Sequence, residues 1–191
     1  RKAMNDKQFD EYFEKSSKML IDQIENLSRI ASTFSTFAKL PEAQFDRVDV
    51  AATVSSTVTL FTDNQDNIDI SYKGLTSGVY CMADKEQLIQ VFNNLLKNAV
   101  QSIPSGQSGN IEVIFTSEEK WIVIQVKDNG KGIEEEVKGK LFTPNFTTKS
   151  TGMGLGLSIS RNIILAHGGT ITFDSKAGEG TTFTVTLPRI S

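Results

Sequence analysis

Between residues 9 and 40 the chain holds no glycine or proline, and its apolar positions keep a regular step. Phe13, Ser17, Leu20, Ile24, Leu27, Ala31, Phe34 and Ala38 advance by alternating fours and threes. That heptad spacing predicts one long coiled-coil or bundle helix, roughly 48 Å at 1.5 Å per residue. Ile21, Ile30 and Phe37 widen the stripe beyond a two-stranded seam, as a bundle helix requires, and Pro41 stops it.

After the linker PEAQFD the pattern changes to an alternation of short strands and helices over 46–191. Val48–Val50 reads as a strand and Ala51–Phe61 as a helix. NIDISYK (67–73) alternates apolar and polar residues, and Val79–Met82 is expected to pair with it across GLTSG. Asp84 precedes the strongest helical pattern, which runs to about Ser102 with Leu88, Val91, Phe92, Leu95 and Leu96 on one face. Ile111–Thr116 and Trp121–Lys127 form a hairpin across SEEK. A helix over Leu155–His167 and two strands, Gly169–Ser175 and Thr181–Leu187, complete the pattern. The expected fold class is α+β: a two-layer sandwich of one mixed sheet with helices on one face, preceded by the long helix.

Composition narrows the functional classes. Hydrophobic residues at 38% plus 14 glycines in 191 residues make about 45%, enough for a packed core. The 20 basic and 23 acidic residues leave a net charge of −3, without the clustered basic face that nucleic acid needs. The single cysteine, Cys81 in VYCMA, reads as a small core residue and excludes an intrachain disulfide. No run of 18 apolar residues and no signal peptide occur, so a cytoplasmic setting is expected, with any membrane contact made by parts of a longer parent. The opening Arg-Lys-Ala-Met reads as mid-helix, the start of a fragment.

Candidate chemistry begins with TKSTGMGLGLSISR (148–161). Gly152, Gly154 and Gly156 permit close backbone approach, the helix that follows points free N–H groups at whatever lies there, and Lys149 adds a mobile charge. The stretch is not a P-loop, which needs GxxxxGK[ST]. It is not a dinucleotide fingerprint either: Leu157 takes the last glycine slot and FTPNFTTKST before it is no strand, although Asp174 lies 20 residues beyond Gly154.

Three other segments carry polar residues, each of which taken alone also fits a bland structural reading as a solvent-facing pair or a tight turn. Asn94 and Asn98 stand at i, i+4 on the Asp84–Ser102 helix, off the leucine row, and a carboxamide oxygen is a hard ligand suited to Mg²⁺. Asp128 ends a strand above the turn DNGKG, where a carboxylate can accept from an exocyclic amine and Gly130 and Gly132 leave room for a flat ring. The closing hairpin GEGTTF brings in a hydroxyl, Thr181 or Thr182.

Taken in order, NNLLKNA (93–99), DNGKG (128–132), LFTPNFTTK (141–149) and TGMGLGL (151–157) resemble the N box, first glycine box, F box and second glycine box of the histidine-kinase branch of the gyrase, chaperone and mismatch-repair ATPases. FAKLPE and FTPNFTTK are closest to nitrogen-regulation-type sensor kinases. The resemblance implies ATP and Mg²⁺ as cofactors. Asn98 would coordinate the Mg²⁺, and Asn94 would support the phosphates or a metal-bound water. Asp128 would accept from the adenine amine, helped by Thr181 or Thr182. Gly130 and Gly132 would shape the base pocket. Gly152, Gly154 and Gly156, with the N–H of Leu155, would cradle the phosphates, and Lys149 would reach them from a lid over about 134–151.

Two departures from the wider family follow. Hydrolysing relatives carry a glutamate where this chain has Asn94, and asparagine cannot act as a base. The only histidine, His167 in the HGG turn, matches a structural residue, so the phosphoacceptor is expected on a missing first hairpin helix. Residues 1–40 would then be the second helix of a dimerisation hairpin and 46–191 the catalytic domain. The expected partners are a second copy of the chain and a response-regulator receiver domain. The competing expectation is a conformational ATPase of the gyrase or chaperone type, which would turn ATP over.

Overall fold

The computed structural model describes residues 12–24, 42–62, 67–147 and 154–191. The chain divides into two units, Arg1–Pro41 and Glu42–Ser191. Within the first, residues 12–24 are helical (α1), and Phe13, Leu20, Ile21 and Ile24 of the predicted stripe are exposed. The remainder of the predicted long helix, with Leu27, Ile30, Ala31, Phe34, Phe37 and Ala38, lies outside the described residues.

The second unit runs β1 (Asp46–Asp49), α2 (Val50–Thr62), β2 (Ile68–Lys73), β3 (Tyr80–Ala83), α3 (Lys85–Ser102), β4 (Gly109–Ser117), β5 (Trp121–Asp128), α4 (Glu135–Lys138), α5 (Gly156–Ala166), β6 (Thr170–Lys176) and β7 (Gly180–Pro188). Five strands form a mixed sheet in the order β2-β4-β5-β7-β6, with β2 parallel to β4 and every other pair antiparallel. β1 and β3 make a separate two-stranded antiparallel sheet.

The expected hairpin between 67–73 and 79–82 is therefore corrected. Gly74, at φ +130, leaves no room for a Cβ against the Phe115 carbonyl, and Gly78, at φ +86, makes a second bend. Between them the chain leaves the sheet edge, and β3 pairs with β1 instead. Asp49 secures this corner, its carboxylate accepting from the N–H of Gly78 at 2.7 Å and of Ala52 at 3.0 Å.

α3 packs between α2 and α5 and lies on β5. Leu88, Val91, Phe92, Leu95 and Leu96 are at most 1% exposed, facing Ile111, Val113, Ile122, Ile124 and Val185 of the sheet's inner side. Burying each such side chain stabilises by about 1.5–3 kcal/mol. Asp84 caps the helix as its spacing predicts, accepting from the N–H of Gln87 at 3.0 Å. Alternation along β4, β5 and β7 sends the intervening residues to the opposite face. Cys81 is buried, and burial pushes its thiol pKa up to about 11. No helix among the described residues is long and apolar enough to cross a membrane.

Candidate functional site

The polar face of α3 is a row, not a pair. Asn94 and Asn98 are followed, one more turn along, by Ser102, and its two ends are tied to different elements. At one end the Asn94 Nδ2 donates to Ser160 Oγ on α5 at 3.0 Å, and a Cβ at Gly156 would overlap the Asn94 amide oxygen. At the other, Ser102 Oγ lies 2.8 Å from Asp128 Oδ1, at the end of β5. From Asn94 to Ser102 the row advances eight steps, roughly 12 Å of helix.

Asp128 is only 4% exposed. Its Oδ1 also accepts from the Gly130 N–H at 2.9 Å, so the carboxylate is held by the turn that follows it. The glycines of DNGKG are required by close approach: a Cβ on Gly130 would overlap Ser102, and one on Gly132 (φ +66) would overlap the Lys176 carbonyl. The turn is clamped from both sides, by Lys131 N–H to Ser102 O at 3.0 Å and by Gly178 N–H to Lys131 O at 2.8 Å.

The two candidate threonines separate. Thr181 pairs with Asp128 in the β5–β7 ladder and shares its buried face, whereas Thr182 pairs with Lys127 on the other face. Thr181 Oγ1 lies 2.9 Å from Ser175 Oγ, which donates to the Gly180 carbonyl at 2.8 Å and accepts from the Ile133 N–H at 3.0 Å. The structure thus joins Asp128, Gly130, Gly132 and Thr181 to the α3 row, and leaves Thr182 off it.

On the other side of the row, α5 starts at Gly156 with Leu155 as its N-cap, whose apolar side chain makes no capping hydrogen bond to the first N–H groups. Gly154, at φ +66, packs against the Phe146 backbone, where a Cβ would not fit. Lys149 and Gly152 lie outside the described residues. Of the lid segment, Phe142 is edge-on to Phe173 at 5.9 Å between centroids, with the Arg161 guanidinium 5.6 Å from its ring.

His167 is 4% exposed and engaged on both ring nitrogens. Nε2 accepts from the Asp84 N–H at 2.9 Å, so Nδ1 carries the proton and donates to the Ile163 carbonyl at 2.7 Å. Phe45 stacks against it at 4.9 Å, and the Gln44 N–H donates to Asp84 Oδ2 at 3.0 Å, which pins the start of the unit to the head of α3. Burial raises the Asp84 pKa, but hydrogen bonds from the backbone N–H groups of Gln87, Gln44 and Glu86 outweigh it and hold the carboxyl below its ordinary value.

Ser102, Ser160 and Ser175 went unmarked in the sequence reading. Ser102 had a signal, since it continues the four-residue step of Asn94 and Asn98. Ser160 and Ser175 had none beyond being polar on faces that turn out buried.

Residues 83–191 match the family model of the histidine kinase-, DNA gyrase B-, and HSP90-like ATPases, and the chain belongs to that family. Within it, this is a catalytic domain of the histidine-kinase kind. It is 33% identical over 174 residues to the sensor histidine kinase ZraS of Escherichia coli (strain K12), covering 90% of this chain and 37% of that protein. It is 34% identical over 168 residues to the putative sensor histidine kinase NtrY-like of Rickettsia prowazekii (strain Madrid E), covering 88% and 28%. The chain thus spans well under half the length of these two relatives. The catalytic domain of histidine kinase ThkA superposes with a TM-score of 0.67 at 32% identity, over 76% of this chain and 96% of that one. ThkA in complex with response regulator protein TrrA gives 0.71 at 25%, over 98% and 53%.

Proposed function

We propose that the chain binds Mg²⁺-ATP along the α3 polar row and gives up the γ-phosphoryl group to a histidine outside these 191 residues, from which it passes to an aspartate of a response-regulator receiver domain. The observation that carries this reading is the bracketing of one helix face, by Asp128 at the Ser102 end and by the start of α5 at the Asn94 end. Asp128 accepts from the adenine amine, with Thr181 beside it. Gly130 and Gly132 give the ring room. The N–H groups at Leu155 and Gly156 meet phosphate oxygens, as a helix N-terminus does, with Gly152, Gly154 and Lys149 completing the cradle by the family resemblance.

Asn98 offers the carboxamide oxygen for the divalent ion. Among the described residues no group of three His, Cys, Asp or Glu side chains could hold a metal, so the ion would depend on the nucleotide's own phosphates. When bound, it neutralises phosphate charge and favours in-line transfer. Asn94, held by Ser160, orients its amide towards the phosphates but has no lone pair basic enough to activate water. ATP is therefore kept for an incoming imidazole, whose nitrogen bonds to the γ-phosphorus as the bond to ADP breaks. His167 is buried with both nitrogens engaged, which removes it as that acceptor.

The partner assignments belong to the same reading. Exposed Phe13, Leu20 and Ile24 on α1 suit pairing with a second copy. ThkA, solved with its response regulator, supports a receiver domain as the onward acceptor. The setting is the cytoplasm, which supplies ATP and receiver domains.

Incubation with γ-labelled ATP and Mg²⁺ tests it. The 191-residue chain should bind the nucleotide, remain unlabelled, and release little free phosphate. Stable label on this chain would overturn the acceptor assignment. Repeated turnover to phosphate would favour the conformational ATPase instead.

A further inference from the structure

We propose that Ser102 is a specificity-determining positioning residue: its hydroxyl sets the plane of the Asp128 carboxylate and so makes the site selective for a base carrying an amine donor. The inference rests on the nucleotide reading above and adds to it a residue outside the four boxes. A buried carboxylate can rotate about its terminal bond, and it recognises a planar base well only if that rotation is fixed.

Two donors reach the same oxygen, Asp128 Oδ1: Ser102 Oγ at 2.8 Å and the Gly130 N–H at 2.9 Å. The second comes from the carboxylate's own turn and moves with it. Ser102 ties the carboxylate to another element, α3. Ser102 is itself held on α3, where the Lys131 N–H bonds its carbonyl at 3.0 Å, and the Ala99 carbonyl, 2.6 Å from Ser102 Oγ, competes for its proton. The hydroxyl has one proton and two acceptors in reach, and a charged oxygen makes the stronger bond. Ser102 is thereby committed to donating inside the protein. It presents no donor to a base with a carbonyl at that edge, and the amine-bearing base is favoured.

The test compares two probes on the 191-residue chain by calorimetric titration in Mg²⁺: ATP, and purine riboside triphosphate, which lacks the exocyclic amine. Wild type should prefer ATP. Ser102→Ala should weaken ATP about tenfold and leave the amine-less analogue within about twofold, as expected for loss of one bond to a charged group. Unequal loss is the signature, since a merely structural serine would move both probes alike. Equal weakening of both, or no weakening of either, overturns the proposal while leaving nucleotide binding intact. Wild type that binds no ATP overturns the nucleotide reading and this proposal with it. A thermal melt checks folding. Should the alanine variant not fold, Ser102→Cys, a weaker donor of similar shape, is read by the same criterion.

Discussion

Asn98 has a polar neighbour one turn away in each direction, and each neighbour is tied to another element. In the proposed reading it stands midway between the base end and the phosphate end, where the ion would lie. Asn98→Ala should therefore lower ATP affinity by about tenfold or more in Mg²⁺ and much less in EDTA, read by titration under both conditions. An equal loss in both would mean that Asn98 supports the fold and not the ion. Cys81 gives an opposite kind of prediction. Burial raises its thiol to about 11, so the thiolate is scarce at pH 8 and gains only as pH climbs towards that value. Native protein should resist iodoacetamide at pH 8 and react fully once unfolded in guanidinium. At this scale the sequence was legible wherever a side chain's chemistry was unusual for its setting, as with two asparagines on a leucine-rich helix. It was silent between Thr181 and Thr182, because facing depends on the register with Asp128, which adjacent residues in the chain do not encode.

Elements were legible where their signals are local. The cap at Asp84 and the apolar face of α3 come from spacing alone, and both are where that spacing puts them. Pairing partners are not local. A five-residue GLTSG link suggests a hairpin, yet two positive-φ glycines turn the chain out of the sheet, and β2 finds a parallel partner in β4 across an intervening helix. The cap also yields a pH prediction. The Asp84 carboxyl is held below its ordinary value, so its contribution is present above the unfolded value of about 3.9 and is lost as pH falls through the folded one. Asp84→Asn keeps a capping oxygen but no charge. Wild type should melt above this variant at pH 7, and the gap should narrow as pH falls below the ordinary carboxylate value. Asp84→Ala, which also removes the cap, should cost about 1 kcal/mol at pH 7. A gap that persists unchanged into acid would assign the effect to capping geometry alone.

For the molecule as a whole, every described residue of the site, from Asn94 to Thr181, belongs to the Glu42–Ser191 unit, which has its own core. Its first residues are already fastened, by Gln44 to Asp84 and by Phe45 to His167, so it does not need the preceding segment to order its start. The apolar residues of α1, by contrast, find no burial among the described residues. The two units should therefore separate by function. A 42–191 chain should bind ATP within about twofold of the 191-residue chain, since it keeps every described residue of the proposed site. Sedimentation should find it monomeric, while the longer chain self-associates through exposed Phe13, Leu20 and Ile24. Substituting Leu20 and Ile24 together by lysine should abolish that association and leave affinity alone. If either change weakened ATP binding by tenfold, residues before Glu42 would have to contribute to the site, and the separation of a binding unit from an association helix would be wrong.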